Sequence, residues 1–217
     1  MLRGLTLLTA LVLAGTPVGH SSDLAKRLTV QQLGRSLEGR PIRAWRVGDP
    51  QGSRRVLVVG CIHGDECAGM RITQWLLNGA RSIDVDLWIV DDFNPDGHRR
   101  WQRGNARGID LNRDFLAATQ RETRIARKLI LRLRPDVTIW FHQPQAVVRA
   151  WGPSRETARR YARLAGMPYR SLQWPPGSAS RWQNGIGLRS FVVELPPGDL
   201  PVAQARRHAN AVLRVAG

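Results

Sequence analysis

Four side chains in this 217-residue sequence are of the types that, brought together, form a hydrolytic metal centre: His63, Glu66, His142 and Glu194. His63 and Glu66 stand three apart in Cys61-Ile62-His63-Gly64-Asp65-Glu66, with a glycine between them. A turn there can aim an imidazole and a carboxylate at one point, and a second histidine from a neighbouring strand completes three ligands. Two His and one Glu, with a fourth position left for water, is a catalytic zinc set. Taken singly these residues are weak evidence. An H-x-x-E match arises by chance, and a lone histidine is more often a satisfied core group. Their common placement strengthens the metal reading, because each lies where an apolar run ends.

Those runs are the elements that must position the site. Arg54–Gly60 is a short β-branched run that reads as a buried strand leading into His63. Asp136–Phe141 is another, stopping at His142, and Phe191–Leu195 contains Glu194. Val85–Val90 reads as a further buried strand, and Pro41–Val47 alternates as a half-buried one. Between them fall helical patterns: Glu66–Leu77, Thr119–Arg134 closed by Pro135, Ser154–Ala165 with Ser154 as cap, and Pro201–Val215. Asp65 reads as a cap or first-turn acid rather than a catalyst, and Asn94–Gly97 as a turn. Alternating strands and helices predict an α/β fold of three layers, a mixed, mostly parallel sheet with helices on both faces. In such sheets sites gather outside the strand ends.

The segment between these elements is polar and turn-rich: Asn94-Pro95-Asp96-Gly97, Arg103-Gly104-Asn105, and Gly108-Ile109-Asp110-Leu111-Asn112-Arg113-Asp114-Phe115. Here the chain resembles the M14 zinc carboxypeptidase family, whose pattern is H-x-x-E, N-P-D-G, R-x-N, G-V-D-x-N-R-N-F, a later His and a Glu on the last core strand. Gly34–Ile42 is similar to the family's N-terminal G-x-S-x-E-G-R-x-I segment, and the likeness runs over roughly residues 30–215. Within the family, His63-Gly64-Asp65-Glu66, His142-Gln143-Pro144 and Pro176-Gly177-Ser178 are most similar to the compact bacterial murein peptide amidase branch. The succinylglutamate desuccinylase and aspartoacylase branch shares the zinc set.

The resemblance implies one Zn²⁺ per chain on His63, Glu66 and His142, lowering the pKa of a bound water toward about 7. Glu194 then serves as general base and Arg103 faces the developing oxyanion. Asn112 and Arg113 bind a substrate carboxylate, the arginine by paired hydrogen bonds. Two departures stand out. Asp114 replaces the family's usual Asn, and Leu172-Gln173-Trp174-Pro175-Pro176 lacks the tyrosine that carboxypeptidases carry before the final Glu. Cys61 and Cys67 bracket the H-x-x-E; a disulfide is allowed there, with thiolate ligation the lesser alternative. His20, His98 and His208 read as surface residues.

Composition narrows the class. The formal charge is +16, from 33 basic residues against 17 acidic ones. Only Lys26 and Lys128 are lysines, and the arginines are scattered without a basic block, which argues against a specific nucleic-acid partner. Met1–Arg3, the apolar Gly4–Ala14 and the small, turn-prone residues 15–19 read as a secretory signal peptide, too short for a membrane span. The expectation is a signal peptide over 1–19 and a catalytic domain over 20–217, secreted or in the cell envelope, with no transmembrane anchor after processing. By the resemblance, its activity would be hydrolysis of an amide bond beside a free carboxylate in murein-derived peptides, and its charge would allow electrostatic association with an anionic cell wall. Two alternatives are an N-acyl amino acid deacylase and a non-catalytic basic protein that holds anionic polymers.

Overall fold

The computed structural model describes residues 28–79 and 84–217, so the expected signal peptide and His20 lie outside the described residues. The described residues form eight strands: β1 Thr29–Arg35, β2 Pro41–Gly48, β3 Arg55–Cys61, β4 Asp86–Asp92, β5 Val137–His142, β6 Val147–Ala150, β7 Tyr169–Ser171 and β8 Ser190–Glu194. They form one sheet in the order β1-β2-β4-β3-β5-β8-β6-β7. The central block β4-β3-β5-β8 is parallel throughout, whereas β1, β2 and β6 join antiparallel. All carboxyl ends of the central block therefore gather at one edge.

Side-chain alternation divides the strands between two cores. Val56 and Val58 of β3 join a core under α1 Gly69–Gly79, α4 Arg155–Ala165 and α6 Val202–Ala216. Leu57 and Val59 join another under α3 Arg121–Leu133 and α5 Ala179–Gly185. Strands buried on both faces must be apolar at every position, which is why RVLVVGC and VTIWFH read as unbroken runs. The three-layer expectation is met.

Several local readings change. Asn94–Gly97 opens α2, Pro95–Arg100, with the Asn94 side chain capping it by accepting from Gly97 N at 3.0 Å. Helix α1 begins only at Gly69, so Asp65 sits exposed in the preceding turn. Ser154 stands before α4, but its hydroxyl donates to Trp151 O at 2.9 Å instead of capping the helix. His208 is 3% exposed and its Nδ1 lies 2.7 Å from the buried Tyr161 hydroxyl, so it is a core residue. His98 is part-buried and paired with Asp92 at 2.8 Å.

Candidate active site

The three adjacent strands β3, β5 and β8 bring three of the predicted residues, His63, His142 and Glu194, to one edge of the sheet. His142 is the last residue of β5 and stands in register with Glu194, the last residue of β8. Beyond β3, the chain turns through His63 and Glu66 before α1 begins. That turn is tight and closely packed. A Cβ on Gly64 would come within 2.1 Å of the Gly97 backbone, so only glycine lets the turn lie against α2. Cys61 and Cys67 form a disulfide across it, with their Cα atoms 4.7 Å apart.

Three ligand-type atoms converge. His63 Nδ1 lies 2.9 Å from Glu66 Oε2, His142 Nδ1 lies 3.1 Å from the same oxygen, and the two Nδ1 atoms are 3.1 Å apart. The cluster is nearly closed to solvent, with His63 and His142 1% and 3% exposed. Ligand atoms on a tetrahedral zinc with bonds of about 2.0–2.1 Å stand roughly 3.3 Å apart. The triangle is thus close to the required size. Tautomer preference also fits, since His63 Nε2 lies 2.9 Å from Asp110 Oδ1. With its proton on Nε2, His63 turns the Nδ1 lone pair toward the other two atoms. Burial pulls His142 down to about 4, which keeps it neutral and able to ligate. Burial alone would lower His63 too, but the flanking Asp110 and Glu66 carboxylates raise it overall. Burial likewise pushes Glu66 up, yet its bonds with His142 and His63 prevail and hold it well below the usual carboxylate range.

Glu194 is 3% exposed and its Oε2 is buried without a hydrogen-bond partner. Burial first, and then the Glu66 charge, push its pKa up to about 7. A carboxylate tuned to neutrality beside a metal-type cluster can accept and return a proton near physiological pH.

Arg103 reaches the cluster, its Nη1 2.5 Å from Glu66 Oε1 and its Nε 3.1 Å from Asp110 Oδ2. It is therefore engaged with two carboxylates rather than standing alone. Asn112 is buried and its Oδ1 accepts from Ala179 N at 2.8 Å, tying its loop to the start of α5. Arg113 is exposed, and its charge is felt at Asp110. Its backbone presses on Gly177, where a Cβ would meet Arg113 O at 2.0 Å and φ is +79°. All seven predicted residues thus lie in or beside one region.

Sequence reasoning assigned no role to Asp110, although it stands inside a quoted motif, or to Trp174 as a neighbour of the cluster. The Trp174 ring stacks on His142 with centroids 6.2 Å apart and planes at 24°. A hollow of about 270 Å³ opens beside Trp174, lined also by Trp151, Gln173, Arg181 and Asn184. Asp114, the departure from the family pattern, is fully used: it accepts from Thr119 N, Thr119 Oγ1 and Gln120 N at 2.7–3.0 Å, stitching the loop to α3.

A buried His/Glu/His triangle beside a carboxyl tuned to neutrality, at the carboxyl edge of a mixed α/β sheet, defines a metallohydrolase-type centre. The chain belongs to the zinc carboxypeptidase family, whose model matches residues 21–129. The chain spans less than a quarter of the length of the first carboxypeptidase relatives it matches. It is 25% identical over 208 residues to murein peptide amidase A of Escherichia coli K12, covering 77% of this chain and 81% of that protein. It is 35% identical over 115 residues to carboxypeptidase D of Drosophila melanogaster, covering 40% of this chain but only 8% of that protein. Carboxypeptidase SOL1 of Arabidopsis thaliana is 31% identical over 113 residues, 43% of this chain and 23% of that protein. Among solved structures, the murein-tripeptide amidase of Escherichia coli O157 superposes with a TM-score of 0.72 at 24% identity, over 88% of this chain and 97% of that one. The carboxypeptidase A of Helicoverpa armigera gives 0.74 at 17% identity, over 87% and 67%. These two likenesses establish the shared fold.

Proposed function

We propose that this chain is a zinc-dependent amidase that hydrolyses an amide bond next to a free carboxylate in murein-derived peptides. The observation that carries the reading is the triangle of His63 Nδ1, Glu66 Oε2 and His142 Nδ1, with sides of 2.9–3.1 Å, beside Glu194. The similarity to murein peptide amidase A over most of both chains supports the substrate class.

Zinc, when bound by His63, Glu66 and His142, supplies Lewis acidity and makes water a stronger acid. Glu194 takes the proton of the attacking water and returns it to the leaving amine. Arg103 offers a fixed positive donor where the carbonyl oxygen gains charge, held in place by Glu66 and Asp110. Arg113 receives the substrate carboxylate at the exposed rim, with Asn112 fixing the loop that carries it. Residues 1–19 act as a signal peptide and 20–217 as the catalytic domain, so the enzyme works outside the cytoplasm. Among the described residues no helix is long and apolar enough to cross a membrane. The basic surface favours association with an anionic cell wall.

The test is a Glu194→Gln variant alongside the zinc-loaded wild type, offered a panel of peptides including murein tripeptide and analysed by mass spectrometry. Zinc at about one per chain is expected in both proteins, with turnover at least about a thousandfold lower in the variant. Full activity in Glu194→Gln would overturn its role, and failure of either protein to bind zinc would overturn the metal assignment.

A further inference from the structure

Gln143 directly follows His142, and its hydrogen bonds reach the segments that carry Glu66 and Glu194. Its backbone N–H donates to Glu66 Oε2 at 3.3 Å. Its side-chain Oε1 accepts from Ala68 N at 3.1 Å, just beyond Glu66 in the chain. Its Nε2 donates to Pro196 O and Gly198 O, both at 2.8 Å, just beyond Glu194. These three partners fix how the amide is turned. Rotated by half a turn, it would set N–H against N–H and an oxygen against two carbonyls.

The contacts fall where regular structure supplies no others. The β5–β8 ladder ends at the pair of His142 and Glu194. One further backbone bond follows, from Leu195 N to His142 O at 2.7 Å. Pro196 and Pro197 have no N–H to donate, so the chain leaving Glu194 can be fastened there only through its carbonyls. On the other side, Ala68 stands just before α1, and its N–H has no partner within that helix. Glu194 depends on this fastening, because its own Oε2 is buried without a hydrogen-bond partner. Its charged form is met by the backbone of Gln145, which lies in the same segment as Gln143. Glutamine suits the position for a chemical reason: its planar amide offers an acceptor on one side and two donors on the other. Glutamate would oppose an oxygen to both carbonyls, and asparagine is one methylene shorter.

We propose that Gln143 is a positioning residue that locks the Glu66 turn and Glu194 into one arrangement at the end of β5. The inference rests on the amidase reading above, in which Glu66 holds the metal and Glu194 moves the proton. Gln143 acts through these two carboxylates and not on the substrate. The oxygen of its amide serves the Glu66 turn and the nitrogen serves the chain after Glu194, so the two effects are separable.

The experiment compares the zinc-loaded wild type with two variants. Gln143→Met removes all three side-chain bonds at similar volume, and Gln143→Glu keeps the acceptor for Ala68 but loses both donors. Zinc affinity is measured by competition with a chelator, and kcat and KM on murein tripeptide. In Gln143→Met, zinc affinity is expected to fall about 10-fold, the scale of groups that orient metal ligands. Its kcat falls about 100-fold with KM within about threefold, the scale of a misplaced catalytic group. In Gln143→Glu, kcat falls as far while zinc affinity stays within about threefold of wild type. An unchanged kcat or an unchanged zinc affinity in Gln143→Met overturns the proposal, as does a loss carried by KM alone. Unfolding temperatures identify misfolding; if Gln143→Met does not fold, an unchanged kcat in Gln143→Glu overturns the proposal. If the wild type binds zinc but cleaves no peptide, the amidase reading fails by itself, and zinc affinity still decides. Weaker binding in Gln143→Met than in wild type and Gln143→Glu sustains the role, and equal binding in all three removes it.

Discussion

Asp110 divides its carboxylate between two members of the candidate site, His63 and Arg103. One oxygen holds His63 Nε2 at 2.9 Å and the other holds Arg103 Nε at 3.1 Å. Burial works against its charge, but the His63 hydrogen bond and the positive groups around it keep it ionised well below the ordinary range. Asp110→Ala therefore frees both the His63 tautomer and the Arg103 guanidinium. Zinc affinity, measured by competition with a chelator, is expected to fall about 10- to 100-fold; unchanged affinity would remove Asp110 from the metal site. Glu194 sets a second expectation. With its pKa pushed up to about 7, it is protonated in acid and cannot act as a base, so kcat/KM rises with pH as the proton leaves. A bound dication lowers that limb below 7. A kcat/KM that falls between pH 5 and 7, or the same rising limb in Glu194→Gln, contradicts the assignment. That His63, Glu66, His142 and Glu194 meet at one sheet edge is legible in the sequence because their types are metal- or proton-binding and each lies where an apolar run ends. Asp110 is visible as a motif letter without a role, since only the fold shows which imidazole nitrogen it meets.

At the scale of elements, the α4–α6 pair has a buried polar contact that makes folding sensitive to acid. The Tyr161 hydroxyl of α4 and His208 Nδ1 of α6 are hydrogen-bonded at 2.7 Å, inside the core. Burial, with a smaller push from Arg207, lowers His208 to about 4. Its unfolded value is the ordinary one, about 6.5. Between these values the unfolded chain binds the proton more readily, so this contribution is complete above pH 6.5 and is lost as pH falls toward 4. The slope approaches about 1.4 kcal/mol per pH unit inside that window. His208→Gln keeps a hydrogen-bonding partner for Tyr161 but does not titrate. The difference in unfolding free energy between wild type and variant should therefore shrink steadily from pH 6.5 to pH 4.5. A constant difference would show that His208 is not buried neutral. The sequence reading placed His208 on the surface because a helix with four charged or amide residues around it looks solvated, whereas the packing of α6 on α4 fixes which side is inward. The elements missed from sequence share a physical reason. β1 is an exposed edge strand with little apolar pattern, β6 and β7 span four and three residues, and α5 spans seven. Such short pieces are stabilised by neighbours rather than by their own periodicity.

For the molecule as a whole, the buried central strands made the three-layer plan legible, since a doubly covered strand must be apolar at each position. The charge was legible only as a total. From Val137 to Gly217 the chain has eleven arginines and no lysine against three acids, and one of those acids is the buried Glu194. Folding gathers much of this excess on one layer. Helix α4 exposes Arg155, Arg159, Arg160 and Arg163, and α6, packed against it, exposes Arg206, Arg207 and Arg214. A hollow of about 340 Å³ between these helices is lined by Arg206, Arg207, Asn210 and Arg214. None of these arginines touches the metal-type cluster, so attachment and hydrolysis are separable. Retention on isolated anionic cell wall is expected to be strong at low salt and to fall steeply as salt rises, because exposed charges are screened beyond about 8 Å at physiological ionic strength. The triple variant Arg159→Glu, Arg163→Glu, Arg206→Glu should elute at markedly lower salt while cleaving a small soluble peptide at the wild-type rate. Retention equal to that of the wild type would mean that this layer does not carry the attachment. A matching loss of soluble-peptide turnover would mean that the two faces are coupled through the sheet.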